Sequence, residues 1–320
     1  MIPLKRLLDL RDGEGRTALV LFTHLFFITA AAIVLSAAKN GLFLSAYPAA
    51  LIPYVIVASA LTTAVVAVAF AGATGRLRRR RVVETTAAAS ALLLVAGRAA
   101  FLATPRAGFV LYLLLSVIGA LIVAVAWSTV GDYFTGRQSR RLMPLLIAGT
   151  SVAGVVTGLA IAPAAEAFGT PDLLLGAAVA VLLAAASLRL ARRGPKQATE
   201  PGAADAFLAR IRKGALQLRR HRLVGLLAAG MVVSTVIGTL VDYQFKALLQ
   251  QSFDRDAITG LFGLLAGAVG IGTLLLQALA SRVLFRRWGL GAGPVAQAGL
   301  VGGAALAVAA TGGVLALAVL

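Results

Sequence analysis

Four charged residues lie inside long apolar runs or at their rims, namely Lys39, Arg98, Asp242 and Lys246. A charge in hydrocarbon is costly unless it faces water or a partner, so each is a candidate binding residue. Three of them are cations and all lie towards one side of the predicted membrane, which favours a vestibule for an anionic substrate. Two alternatives stay open. Asp242 and Lys246 could pair only with each other across one helical turn, and Lys39 and Arg98 could extend to lipid headgroups.

The rest of the composition offers little for enzymatic chemistry. The chain of 320 residues has no cysteine and two histidines, so thiolate nucleophiles, disulfides and clustered histidine ligands are not available. We therefore expect neither an enzyme nor a bound metal or cofactor. His24 is more typical of a hydrogen-bonded packing residue than of a proton relay, and Glu84 is interpreted as neutralising the arginines beside it.

Long apolar runs must position these residues. Apolar residues make up 60% of the chain and charged residues 13%, which excludes an ordinary water-soluble fold. Crossing a bilayer takes about 20 predominantly apolar residues. The pairs Gly154/Gly158 and Gly263/Gly267 predict close approach of helices. Nine runs fit a membrane span: 17–38, 48–72, 82–103, 108–130, 142–165, 170–190, 223–245, 257–280 and 293–320.

Basic residues alternate sharply between successive connections of these spans. The net charge is +18, and all but five of the 30 lysines and arginines fall on the N-terminus and on every second connection. The positive-inside rule then predicts a cytoplasmic N-terminus in a bacterial inner membrane. The clustered charge also predicts contact with anionic headgroups at the cytoplasmic face. It does not predict nucleic-acid binding, because it does not form an amphipathic face. The five exceptions are Lys39, Arg98, Arg106, Lys246 and Arg255.

An internal repeat is predicted from two matching distances. Lys39 precedes Arg76 by 37 residues, and Lys246 precedes Arg282 by 36. This register relates two halves by an axis along the membrane normal. We therefore expect a six-helix half at 1–192, a cytoplasmic linker at 193–222 with a basic amphipathic helix or a solvated basic segment, and a partial second half at 223–320. The second half would be truncated by three spans, unless the protein naturally has nine.

Three stretches of the chain carry a resemblance to a known family. They are AAKNGLFLSAYPAALIPYVIV at 37–57, WSTVGDYFTGRQSRRLMPLLIAGTSVAGVVTG at 127–158, and TLVDYQFKALLQQSFDRDAITGLFGLLAGAVGIGTLLLQALASRVLFRRWG at 239–289. Together they resemble the bacterial and plastid nucleotide transporters, the ATP:ADP antiporters of the major facilitator superfamily. The resemblance implies an all-α protein of the six-plus-six architecture that binds and exchanges nucleotides such as ATP.

The same resemblance implies roles for three residues. Lys39 corresponds to the family's lysine at the end of the first span, Asp242 to its acidic residue in the seventh, and Lys246 to the basic residue that follows. In the family these line the nucleotide path. The chain departs from the family pattern at Asn40 and Gln138, where acidic residues are usual. These departures favour another phosphate-bearing anion over strict ATP/ADP exchange.

The expected function is thus exchange of nucleotides or related organic anions by alternating access. A proton-coupled exporter of drugs or lipids is the alternative, in which Glu84 and His24 would titrate. A non-transporting membrane sensor or anchor that keeps the fold is a third hypothesis. Substrate identity, coupling ion, direction of transport and oligomeric state do not follow from the sequence.

Overall fold

The described part of the chain is almost entirely helical. A computed structural model describes residues 14–74, 77–133, 136–190 and 222–288, together with 209, 213 and 214. These residues include eight helices that are long and apolar enough to cross a membrane. The protein is therefore an all-α polytopic membrane protein, and the first eight predicted spans are confirmed. The ninth, at 293–320, and most of the predicted basic surface helix lie outside the described residues.

The eight helices are numbered α1 to α8 along the chain. Single 3₁₀ turns at Ala49–Leu51, Pro105–Ala107 and Leu188–Leu190 accompany three of the helix ends. The helices are α1 (Gly15–Ala46), α2 (Ile52–Thr74), α3 (Arg79–Ala103), α4 (Gly108–Tyr133), α5 (Gly136–Phe168), α6 (Thr170–Ser187), α7 (Arg222–Ser252) and α8 (Arg255–Trp288).

Local sequence explains where several helices stop. Tyr47 is extended before Pro48, and Thr104 is extended before Pro105, because the residue before a proline avoids the helical region. Gly169 has φ of 83°, a left-handed conformation that costs glycine little, and it allows the sharp turn from α5 into α6. Short connections of this kind keep consecutive helices adjacent.

Helix α1 lies at the centre of the first six helices and contacts α4, α5 and α6. Its residues Leu21, Leu25, Leu35 and Leu42 are almost completely buried in one apolar cluster with side chains of α3, α4 and α6. A helix that is apolar on all sides suits this position, since lipid or protein surrounds it everywhere. The cluster fixes the rotation of α1 and with it the direction in which Lys39 points.

Ion pairs mark one end of this bundle. Arg79 Nε lies 2.6 Å from Asp132 Oδ2 at the end of α4. Arg80 and Arg189 both contact Glu84 Oε1, each at 3.2 Å. The basic connections before α3 and after α6 therefore share one end, as the alternation of charge requires. Lys39 and Lys246 lie towards the other end of their helices.

The chain divides into two compact units, residues 1–270 and 271–320. The four candidate residues Lys39, Arg98, Asp242 and Lys246 all belong to the first unit. In the second, the structure describes residues 271–288, which are helical. The boundaries expected at 192 and 222 border residues outside the described set, so the division into two halves and a linker stays a prediction.

Candidate functional site

Asp242 and Lys246 form an ion pair on α7. Lys246 Nζ lies 2.6 Å from Asp242 Oδ2, as their spacing of one helical turn allows. The Lys246 side chain is 5% exposed and that of Asp242 36%, so the cation is buried while its partner still reaches open space. Lys246 Nζ also lies 5.7 Å from the centre of the Phe262 ring on α8, within range of a cation–π contact.

Lys39 approaches the same pair from α1. It interacts electrostatically with both Lys246 and Asp242, across more than 200 residues of sequence. Its Nζ donates a hydrogen bond to Ser116 Oγ at 3.4 Å and lies 5.0 Å from the centre of the Tyr112 ring. We call Lys39, Asp242 and Lys246 the lysine cluster. Two cations share one carboxylate there, which leaves an excess positive charge.

Aromatic rings from α1 and α4 adjoin the lysine cluster. The ring of Phe43 lies 5.3 Å from that of Tyr112 and 5.4 Å from that of Tyr47, between ring centres. Phe109 completes the group, 6.1 Å from Tyr47. These rings surround the lysines with weakly polar surface, which strengthens electrostatic attraction by excluding water.

Arg98 was expected beside the lysines, but its described partner is elsewhere. Its Nε lies 2.5 Å from Asp172 Oδ1, in the first turn of α6. Both side chains are about one-third exposed, at 32% and 37%. Sequence reasoning missed Asp172, although an acidic residue at the start of a span was a usable signal. A substrate-binding role for Arg98 stays a prediction.

Asn40 and Gln138, the two departures from the family pattern, bond to groups outside the lysine cluster. Asn40 Nδ2 donates to the carbonyl of Ser36 in the preceding turn of α1, at 2.8 Å. Gln138 donates to Glu14 Oε1 at 3.0 Å, which joins the start of α5 to the start of α1. Both positions thus support helix structure and packing.

Gln250 joins the end of α7 to the end of α1. Its Oε1 accepts a hydrogen bond from the backbone N–H of Ala49 at 2.6 Å. Its Nε2 donates to the carbonyls of Leu44 and Tyr47, both at 2.7 Å. One side chain therefore satisfies three backbone groups where α1 has just ended and its last groups lack helical partners.

Asp256 makes a similar connection between α8 and α6. Its Oδ1 accepts hydrogen bonds from the backbone N–H of Thr170 at 2.8 Å and from Thr170 Oγ1 at 2.7 Å. Thr170 Oγ1 lies 2.8 Å from Thr259 Oγ1 as well. We call the contacts of Gln250 and Asp256 the clamp. Neither residue was singled out from the sequence, since a polar residue near a helix end has many ordinary roles.

Glycines bring α5 and α8 into backbone contact next to the clamp. A Cβ atom at Gly158 would lie 2.3 Å from the backbone nitrogen of Gly267 and 2.6 Å from the carbonyl oxygen of Gly263. Gly154 also lies close to α8, with an added Cβ 3.4 Å from Gly270 Cα. The predicted close approach at Gly154/Gly158 and Gly263/Gly267 is confirmed.

The two residues that a proton-coupled mechanism would use are both engaged. His24 Nδ1 lies 2.8 Å from the carbonyl oxygen of Ala184, so it is a hydrogen-bonded packing residue as expected. Glu84 is held by Arg80 and Arg189, which confirms its interpretation as a neutralising charge. Among the described residues, no three His, Cys, Asp or Glu side chains are grouped so that they could hold a metal ion.

Comparisons with known proteins do not assign the chain to a family. No protein-family model matches it, and no curated protein or solved structure is significantly similar to it. A function for the chain must therefore be inferred from the geometry of the lysine cluster and the clamp.

Proposed function

We propose that the protein transports phosphate-bearing organic anions, with nucleotides such as ATP and ADP as the substrate class, by alternating access. The observation that carries this proposal is the lysine cluster, in which Lys39 and Lys246 come from helices far apart in sequence and share one carboxylate. The resemblance of 37–57 and 239–289 to nucleotide transporters favours nucleotides within that class.

The charge of the lysine cluster suits an anion that arrives and leaves. A phosphate group can replace Asp242 as the partner of Lys246 and can bridge to Lys39, because the two cations exceed the single carboxylate by one charge. Asp242 then offers Lys246 a partner when the substrate departs. Exchange of this kind avoids leaving a buried cation unpaired, which would be costly.

The clamp supplies the moving part. Gln250 links α7 to α1, and Asp256 links α8 to α6, so these bonds hold one end of the path closed. Each is a hydrogen bond to a polar group that water can replace when the path opens. We propose that the clamp breaks when the protein opens towards the side of Lys39 and Lys246.

Binding of labelled ATP to the purified chain in detergent tests the substrate assignment. Lys39→Gln and Lys246→Gln should each lower the affinity by roughly ten- to a hundredfold, as expected for the loss of a charged hydrogen bond of about 1.5–3 kcal/mol. Lys213→Gln is the matched control, because Lys213 is exposed. Arg98→Gln should have a smaller effect, since Arg98 already has Asp172 as a partner. Inorganic pyrophosphate should compete with ATP.

Two results would contradict the assignment. Equal losses in Lys39→Gln, Lys246→Gln and Lys213→Gln would mean that the lysines act through overall charge. Absence of ATP binding and of pyrophosphate competition in the unaltered chain would remove the anion path altogether. Uptake by vesicles that carry the unaltered protein then distinguishes a transporter from a membrane anchor or sensor.

The orientation is part of the proposal. The basic end of the bundle, with Arg80 and Gln138, would face the cytoplasm of a bacterium, and the clamp would face the periplasm. A reporter that is active only in the periplasm should be active when fused after Pro48, Phe168 or Phe253 and silent after Arg80 or Gln138. The reverse pattern would invert the topology without affecting the ATP-binding test.

A further inference from the structure

A small cavity lies among the first six helices, away from the lysine cluster. It is lined by side chains of α1, α3, α4 and α6, and its polar lining consists of His24 and Thr86. His24 is 1% exposed and Thr86 8%. The other lining residues are apolar: Ile28, Val83, Ala87, Ile122, Val125, Ala126, Val181 and Ala185.

Two polar atoms at this cavity have no hydrogen-bond partner among the described residues. They are His24 Nε2 and Thr86 Oγ1. A buried polar group without a partner costs about 1–3 kcal/mol. Threonines within helices can avoid that cost by donating to a carbonyl of the preceding turn, as Thr85 does to Arg81 at 2.7 Å. Two such atoms on one small cavity therefore require an explanation.

The contact of His24 with Ala184 fixes its tautomer. A carbonyl oxygen can only accept, so Nδ1 must carry the proton in the 2.8 Å contact with Ala184. In the neutral ring, Nε2 is then a lone-pair acceptor that needs a donor. Thr86 Oγ1 can donate and accept. The cavity thus presents one acceptor and one hydroxyl, and its lining contains no other titratable or charged side chain.

The size of the cavity selects the occupant. Its volume of about 10 Å³ is close to what one water molecule requires. A metal ion would need several anionic or carbonyl ligands, and an organic molecule would need more room. Water is the ligand that can donate to a histidine nitrogen and accept from a hydroxyl at the same time.

We propose that this cavity is a binding site for a single water molecule that donates a hydrogen bond to His24 Nε2 and accepts one from Thr86 Oγ1. The water joins α1 to α3, and through the Ala184 carbonyl His24 joins both to α6. This polar link between three helices lies inside an otherwise apolar bundle. It satisfies both buried atoms and fixes the rotation of α1 relative to α3.

Nuclear magnetic resonance of histidine nitrogens tests the site directly, because the chain has only two histidines. In a His221→Gln background, all ¹⁵N-imidazole signals come from His24. The intact protein in lipid nanodiscs should show a protonated Nδ1 and a hydrogen-bonded, unprotonated Nε2 that receives magnetisation from water. Thr86→Val should shift the Nε2 signal towards that of an unbonded nitrogen and reduce the transfer from water.

Three comparisons keep the test sharp. Thr86→Ser keeps the hydroxyl and should leave the Nε2 signal unshifted, and Thr85→Val, whose hydroxyl bonds its own helix, is the matched control. Thr86→Ala enlarges the cavity and should retain the transfer from water, because a second water can enter. A protonated Nε2, an unchanged Nε2 signal in Thr86→Val, or no transfer from water in the unaltered site would each overturn the proposal. Loss of the hydrogen-bonded signal in Thr86→Ala would also overturn it, in favour of direct bonding of the hydroxyl to the ring.

Discussion

The interior of the first six helices and the seam that they form with α7 and α8 are built differently. The interior is packed with apolar side chains such as Leu25, Leu94 and Leu115. The seam has a smaller apolar cluster around Phe43 and Leu249 and adds buried polar groups, glycine backbones and the ion pair of α7. A membrane offers little hydrophobic drive for helices to associate, so polar bonds and close backbones carry more of the specificity at the seam.

This difference indicates which part of the molecule moves. An apolar interior gains nothing by opening, and we therefore expect the first six helices to move as one body. Polar bonds at the seam can exchange protein partners for water or substrate at small net cost. The seam is thus suited to open and close, which is what the proposed alternating access requires. Substitutions within the seam should accordingly have larger effects than matched substitutions elsewhere in the described helices.

Asp242→Asn should cause the largest loss of stability. It leaves Lys246 buried without a counter-ion and Lys39 nearby, and removal of one partner from a buried pair costs about 3 kcal/mol or more. Asp172→Asn removes the partner of the partly exposed Arg98 and should cost less than about 1 kcal/mol. Unfolding in mixed micelles measures both. Adding Lys246→Met to Asp242→Asn should restore much of the stability, and equal losses in the two single variants would contradict the distinction.

Gly158→Ala should disrupt the packing of α5 on α8. The added methyl group would meet the backbone of Gly267, and overpacking of this kind costs about 2 kcal/mol in the free energy of unfolding. Gly176→Ala is the control, since an added Cβ there has no atom within 4 Å. That variant should be neutral or slightly stabilising, because alanine favours a helix over glycine. If both variants behave alike in mixed-micelle unfolding, the close approach at Gly158 does not contribute to the seam.

Gln250→Ala should weaken the clamp by about 1–2 kcal/mol, because it removes the partners of three backbone groups. Gln244→Ala on the exposed face of α7 is the matched control and should change little. The more specific readout is labelling of a cysteine placed at Ala46 by a membrane-impermeant thiol reagent. Labelling should become faster in Gln250→Ala and stay unchanged in Gln244→Ala, whereas a protected cysteine in both would argue against a gating role.

Arg98→Gln should have the smallest effect of the set, about 0.5 kcal/mol on the free energy of unfolding, because both members of its ion pair are about one-third exposed. Its effect on ATP affinity should be less than that of Lys39→Gln. A loss as large as that of Lys39→Gln would place Arg98 on the substrate path despite its contact with Asp172.

Much of the fold could be predicted from the sequence, and part of the candidate site. The pairing of Asp242 with Lys246 follows from their spacing on one helix, and the close approach at Gly158 follows from the small residues themselves. The partner of Arg98 could not be predicted in the same way. It depends on how α3 and α6 are rotated against each other, which no local spacing within either helix records.

The sequence by itself determined which segments cross the membrane and where their charged residues lie along each helix, because span length and charge distribution are properties of a single segment. It also determined that one end of the bundle is basic. Only the tertiary structure decided that Lys39 meets Asp242 and Lys246, that Gln250 and Asp256 hold the seam, and that His24 and Thr86 share a cavity. Contacts between helices depend on rotation and tilt, and these are set by packing many side chains at once.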